Sequence, residues 1–440
     1  MTAALVQFVD YMVGSPTVLL DINDETSWWV NSFDAPPPRL RRSVANNAMR
    51  DGGYVSSASY DMRVLSIGLD LRTASQDTWA TEFQKLARIL DGASSILKYQ
   101  PNGASKPVFF KVSRSDVSSL YDQLASAAFR KATVDLLAEP FAYGLLETAT
   151  TSIGFDPHSS GCFYDFTPLG DAPTPLILQD MSQARHSGMV SVRSAGTSWT
   201  FFHQAESCTL GTDTTNPGGA ADAAMSGNGT TNYRRTSFAT VSGMVARITT
   251  PAISGTGRYH VVAGLRRSDN TSAIRVQRGA AYTGDVPAAA VTTALTTSRQ
   301  YVYLGILPLD GPTGSTMASS GLPLQAARDS GAGTLDWDLV FLIPADERSM
   351  FWTGLSESPS TATTIINGET ETAFWWDSGG KFQPNYIGQV SGGFPVVVPG
   401  KTNRVYLLRW ESTGVSTLPG GDSWSVSYYP KYLMVRPSAT

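Results

Sequence analysis

The chain of 440 residues is about three times a typical domain length, which sets the expectation at two or three domains. Hydrophobic residues make up 42% and charged residues only 16%, Gly (40) and Pro (25) are abundant and aromatics reach 10%, so an intrinsically disordered chain and a coiled coil are excluded and a turn-rich β protein is indicated. The net charge of -4 is spread evenly, with 14 basic against 16 acidic residues in 1-150 and 19 against 21 in the remainder, which supplies no basic face for sequence-general nucleic-acid binding.

The first residues, MTAALVQFVDYM, lack a basic n-region and reach Asp10 before any long apolar run, so no secretory signal is expected and synthesis inside a cell is. Apolar stretches such as 339-344 fall far short of the ~20 residues that span a bilayer. A strand is predicted over 17-22. The segment 31-54, with Pro36-Pro37-Pro38, then Arg39, Arg41 and Arg42, then Gly52-Gly53, is too long for an ordinary hairpin turn and predicts a projecting arm or loop. Its arginines could clamp an anion, but pairing with a neighbouring subunit is the favoured reading, because exposed Arg is enriched at protein interfaces. In 60-72, Leu65, Ile67, Leu69 and Leu71 alternate at strict period two, the pattern of a half-buried strand. A helix follows, capped by Ser75 or Asp77, with Trp79, Phe83, Leu86 and Leu90 on one stripe and Gly92 placed as a left-handed C′ residue. Further strands are predicted over 96-100, 107-113 and 131-138, bounded by Asn102-Gly103 and Glu139-Pro140. Residues 1-147 therefore read as a β-sandwich with one packed helix.

From Leu145 onward helical periodicity vanishes and short strands alternate with Gly, Pro, Ser, Asn and Thr clusters, so the expected fold class is mainly β, with β-sandwich or jelly-roll modules after the first unit. Segment 197-210 precedes a polar stretch, 211-232. Strands are then predicted over 241-249, 258-265, 273-278, 300-307 and 334-343, a jelly-roll-like series. After Pro344-Ala345 the texture changes, with strands around Phe351-Trp352, Phe374-Trp375-Trp376, 395-400, 404-410 and 424-435. Segment 160-192 shares that texture. The expected organisation is 1-147, then one sandwich built from 148-195 and 346-440, interrupted by an inserted module at 196-345; contact of 177-179 with 404-408 would support it.

Chemistry leaves few marks. Cys162 and Cys208 show no CxxC or ligand spacing and read as reduced, mostly buried thiols. His158, His186, His203 and His260 are scattered without HExxH, HxH or HxxxH spacing, and no GxSxG, P-loop or GxGxxG occurs, so no catalytic, cofactor-binding or metal-binding residue is assigned. The best local acid pair is Asp336 with Asp338, which period two places on one face while Leu335, Trp337 and Leu339 point into a core. Trp28-Trp29, Trp375-Trp376 and Tyr428-Tyr429 each place at most one ring in a core and the other at a surface, with protein-protein contact favoured over sugar stacking. Asn228-Gly229-Thr230 and Asn270-Thr271-Ser272 match the glycosylation pattern, but without a secretion signal they read as chance matches.

The order of strand, long arm, strand with Tyr60-Asp61-Met62-Arg63, helix from Trp79 to Leu90 and closing strand at 131-140 resembles the N-terminal domain of the distal tail proteins of long, non-contractile-tailed bacteriophages, actinophage-like. The run Val397-Val398-Pro399-Gly400-Lys401-Thr402-Asn403-Arg404-Val405 and the final Tyr428-Tyr429-Pro430-Lys431-Tyr432-Leu433 are similar to that family's closing strands. Gln204-Ala205-Glu206, Gly257-Arg258-Tyr259-His260-Val261 and Asp336-Trp337-Asp338-Leu339 resemble galactose-binding-like jelly rolls, including carbohydrate-binding modules. The resemblance implies a non-enzymatic virion component, a minor tail protein made in the host cytoplasm: a homohexameric ring at the distal end of the tail that joins the tail tube protein to the tail-tip hub and tape measure proteins, without cofactors. It also implies an alternative, attachment to host cell-wall glycans through 196-345; in such modules Glu206 with Asp338 would be an oxygen-ligand pair for a structural calcium, a disfavoured reading here because two residues fall short of the six or more oxygens calcium takes. A tail-borne glycosidase is the disfavoured third reading.

Overall fold

The computed structural model describes residues 4-46, 53-92, 94-113, 117-119, 129-150, 163-180, 187-195, 202-217, 222, 225, 232-238, 241-252, 258-268, 273-279, 297, 300-308, 321-346, 348-352, 363-376, 382-383, 390-410 and 424-435. The chain is mainly β, with antiparallel sheets and a single α-helix among the described residues.

The first third contains β1 Leu5–Val9, β2 Val18–Asp21, β3 Trp28–Asp34, β4 Leu40–Asn46, β5 Gly53–Tyr60, β6 Arg63–Arg72, α1 Gln76–Asp91, β7 Ser94–Gln100, β8 Val108–Ser113, β9 Val117–Ser119, β10 Phe129–Ala138 and β11 Ala142–Tyr143. Its main sheet runs β2-β1-β7-β8-β10-β6-β3. This path folds over on itself into a sandwich: Phe33 on the last strand stacks on Tyr99 of the third, ring centroids 4.2 Å apart. The alternation in β6 does what period two requires, burying Leu65, Ile67, Leu69 and Leu71 while Val64, Ser66, Gly68 and Asp70 face outward. Helix α1 buries Trp79, Leu86 and Leu90 in the same core, and the Ser75 hydroxyl accepts from the Thr78 N–H at its N-terminus.

Two expectations in this region are corrected. Gly92 is extended (φ -61°, ψ 152°) rather than left-handed, because the chain runs straight on into β7 instead of reversing. Residues 31-34 belong to β3, so the arm starts only at Leu40. The expected arm is a β-hairpin, β4 with β5, and among the described residues it pairs with no other strand. β1 was not anticipated.

The next strands are β12 Glu147–Thr150, β13 Phe163–Phe166, β14 Thr174–Asp180 and β15 Ser187–Ser194, followed by β16 Phe202–Gln204, β17 Thr209–Leu210, β18 Thr214–Thr215, β19 Arg234–Phe238, β20 Ser242–Thr249, β21 Arg258–Arg267, β22 Ala273–Arg278, β23 Gln300–Pro308, β24 Pro323–Ser330 and β25 Gly333–Pro344. The last are β26 Ser349–Trp352, β27 Thr363–Asn367, β28 Thr372–Trp376, β29 Phe382–Gln383, β30 Val390–Gly392, β31 Val396–Val397, β32 Asn403–Trp410, β33 Trp424–Tyr428 and β34 Lys431–Tyr432. One pair of sheets, β12-β33-β14-β27-β28-β29 with β31 on β14, and β13-β32-β15-β26-β30, takes strands from both sides of the intervening segment. Ile177–Gln179 and Val405–Leu407 lie in opposite sheets of this pair, and Leu178 and Leu407 share its core. The other pair, β18-β19-β25-β21-β23 with β16 on β25, and β17-β20-β24-β22, draws only on the chain between Phe202 and Pro344. Ala205, Glu206 and Ser207 form a 3-10 turn after β16.

β25 explains how these pairs meet. A bulge at Asp338, where Gly264 pairs Leu339 but Leu265 pairs Trp337, shifts the alternation by one residue. Leu335, Trp337, Val340 and Leu342 consequently face one core, whereas Leu339, Phe341 and Ile343 join the core of the neighbouring sandwich. The expectation that Leu339 shares a core with Leu335 and Trp337 is thereby corrected.

Candidate functional site

His260 is buried, its Nδ1 3.0 Å from the Tyr303 hydroxyl and its ring stacked on Phe351. Burial pushes the pKa of both His203 and His260 below the ordinary imidazole value. The unfolded chain therefore binds protons first as pH falls, so stability is present above the ordinary value and lost below it. We expect the denaturation midpoint to fall from pH 7 to pH 5, and to fall less steeply in His260→Phe; equal slopes in the two proteins would contradict the assignment. The Cys208 thiol is buried and pushed up to about 12 by that burial, which makes it an inert core thiol at neutral pH. Cys162, His158, His186 and both glycosylation-like triplets lie outside the described residues.

Asp336 is 1% exposed and sits between two guanidinium groups: Arg235 Nε and NH2 donate at 2.6 and 2.8 Å, and Arg266 Nε and NH2 at 3.1 and 2.8 Å. Arg266 extends the network to Asp222 at 2.7 Å. The Asp336 carboxylate is thus engaged by two guanidinium groups through charge-assisted hydrogen bonds. Asp338 is fully buried on the bulge, and burial, then the Asp338 charge, raises the Glu206 pKa. The two sequence-nominated acids are thus brought together, yet among the described residues no group of three or more His, Cys, Asp or Glu forms a cluster able to hold a metal ion. Two carboxylates alone do not supply the six or more oxygens that calcium takes.

The aromatic pairs divide as period two demands where they are described. Trp28 is in the core, and Trp29 lies outward beneath the Arg72 guanidinium at 4.6 Å. Tyr428 is buried, and Tyr429 packs with Val9, Phe109 and Tyr143 at the seam between the N-terminal sheet and the second sandwich. The side chains of Trp375 and Trp376 lie outside the described residues. Between Phe202 and Pro344 the exposed large apolar side chains among the described residues are Leu210, Val241, Val245 and Ile306, all aliphatic.

That seam carries an ion network no motif announces. Glu369, in the turn between β27 and β28, receives Lys431 Nζ at 3.1 Å and Lys111 Nζ at 3.3 Å, with the carboxylate side chain 9% exposed. The Lys111 ammonium lies 4.3 Å from the Tyr143 ring centroid, and the Tyr143 hydroxyl, its pKa raised chiefly by burial, donates to Glu139. β34 pairs with β11, so the end of the described chain returns to the first sheet. Buried Arg63, pushed down to about 10 by burial, donates to the Leu433 and Pro36 carbonyls. A crevice of about 360 Å³ opens beside this seam, lined by Lys106, Pro107, Leu145, Pro168, Leu169 and Tyr432 among others.

Two surfaces of the N-terminal sheet leave apolar side chains in water. One is the β1–β2 hairpin, with Tyr11, Val13, Val18 and Leu19 exposed. The other surrounds the base of the arm: Leu40, Tyr60, Met62, Val64 and Leu137 are all exposed. Exposed apolar side chains on the arm and on the outer face of β6 and β10 are candidates for interaction surfaces. Arg39, Leu40, Arg41, Arg42 and Ser43 of the arm are likewise exposed.

No family model and no curated protein matches the chain. Among solved structures it is similar to the Dit protein of phage SPP1, described as a paradigm of the hub adsorption apparatus in phages infecting Gram-positive bacteria, at 9% identity and TM-score 0.37 over 98% of this chain and 99% of that one. It is also similar to chains of the phage p2 baseplate in its activated conformation, with Sr (11% identity, TM-score 0.28, 76% of this chain and 98% of that one) and with Ca (11%, 0.28, 77% and 98%). At such identities and scores these likenesses are resemblances only, and the functional reading rests on the chain's own residues.

Proposed function

We propose that this chain is a structural component of a bacteriophage tail tip, a homohexameric ring at the distal end of the tail that joins the tail tube protein to the hub and tape measure proteins. The observation that carries the reading is the arm: among the described residues β4 and β5 pair only with each other and stand beside exposed apolar side chains, and an isolated two-stranded hairpin is marginal in water without something to lie against. The sequence resemblance supplies the identity of the assembly, and the same order of strand, arm, strand, helix and closing strand recurs in β2, β4–β5, β6, α1 and β10.

In this reading 1-147 forms the ring, 148-195 with 346-440 forms a sandwich below it, and 196-345 is a module inserted into that sandwich. The role is architectural, without turnover or cofactor, and the virion is where the protein acts. Light scattering with negative-stain imaging of the purified chain tests the proposal. A sixfold ring, alone or on adding the tube protein, is expected; a monomer under both conditions contradicts it.

A further inference from the structure

We propose that the arm of one copy lies on the outer face of β3, β6 and β10 of the next copy. This rests on the ring reading and names the surface through which the ring closes. On the receiving face, Val64 and Leu137 are direct partners in the β6–β10 register and are 47% and 40% exposed. One outward row further along, Ser66 stands between Asp34 of β3 and Asp135 of β10. The Ser66 hydroxyl donates to Asp135 at 2.6 Å, and neither carboxylate has an ion-pair partner among the described residues. The row after that centres on Gly68, where the Asn31 and Ser32 side chains of β3 occupy the space a side chain would take.

The arm carries the complement in the same order. Leu40 and Arg42 are two residues apart in β4, so both project from one side of the hairpin, and both are exposed. Arg41, on the opposite side, is paired with Asp61 at 3.1 Å, whereas Arg42 has no ion-pair partner among the described residues. Residues two apart in an extended strand are separated by about 6.8 Å on either surface. When Leu40 covers the Val64 and Leu137 row, Arg42 therefore falls on the Asp34 and Asp135 row. Apolar meets apolar and cation meets unpaired anions in a single register.

Among the described residues nothing of the same chain covers either surface, as a contact between different copies requires. Because the arm and the face are different patches, each copy donates one and receives the other; such a head-to-tail contact closes into a ring when its rotation permits.

The test uses the full chain with Cys162→Ser and Cys208→Ala. One preparation carries Arg42→Cys and a second Asp135→Cys, and the two are mixed and oxidised. Disulfide-linked heterodimers in the mixture, and not in either preparation alone, are expected. Independently, Arg42→Asp and Asp135→Arg should each weaken assembly at least tenfold by light scattering, and the double charge reversal should restore it. Oligomers that form without the cross-link and ignore both reversals overturn this contact while leaving the ring intact. A chain monomeric at every concentration, with and without tube protein, overturns the contact and the ring together.

Discussion

Replacing Trp337 with alanine is expected to lower stability by about 3–5 kcal/mol, the range for deleting a fully buried indole. The side chain is 1% exposed, and its Nε1–H donates to the Thr236 hydroxyl at 2.9 Å, which in turn meets the Thr214 hydroxyl at 2.8 Å. Removal leaves a cavity among Leu335, Leu265 and Val340 and withdraws a buried hydrogen bond. The damage should not stay local. β25 is walled on both faces, with Leu339, Phe341 and Ile343 packed into the same core as Met350 and Phe351, and Tyr303 stacked on Phe351 at 4.8 Å. Calorimetry of Trp337→Ala should therefore show the transition of the second sandwich moving down with that of the segment between Phe202 and Pro344. An unchanged second transition would show the two cores to be uncoupled.

Glu369→Gln is expected to be comparably severe, about 3–5 kcal/mol, because breaking a buried ion pair leaves its partner charge uncompensated. Lys431 is the more enclosed partner, its side chain 11% exposed against 27% for Lys111, so most of the loss should come from Lys431. Lys431→Met combined with Glu369→Gln should recover part of it, since the apolar replacement removes the stranded charge without opening the seam. Urea denaturation of the single and double variants separates the cases. A single-variant loss within 0.5 kcal/mol of zero, the scale of an exposed pair, would mean that water reaches the seam freely.

What could be read from the sequence was periodic or punctuated. β6 announced itself through Leu65, Ile67, Leu69 and Leu71, and α1 through Trp79, Leu86, Leu90 and a Ser75 cap, because local geometry repeats those residues at fixed intervals. The bulge at Asp338 was invisible, since an extra residue in a strand leaves no compositional trace; it moved Leu339 into another core and turned an apparent acid pair into one arginine-clamped carboxylate and one buried beside Glu206. The arm was legible as an excess of length with arginines but not as a hairpin starting at Leu40. Nor could Lys111, Glu369 and Lys431 be connected, being brought together only by the return of β34 to β11. Long-range charge contacts are set by topology, which no local pattern encodes.

In the proposed role this protein is a structural component at one end of a phage tail. Immunogold labelling of intact virions that carry it, with antibody raised against the whole chain, tests that most directly. Label confined to the tail end distal to the capsid is the predicted result; label along the tube, on the capsid, or absent from particles while the chain is found free in the lysate would contradict it.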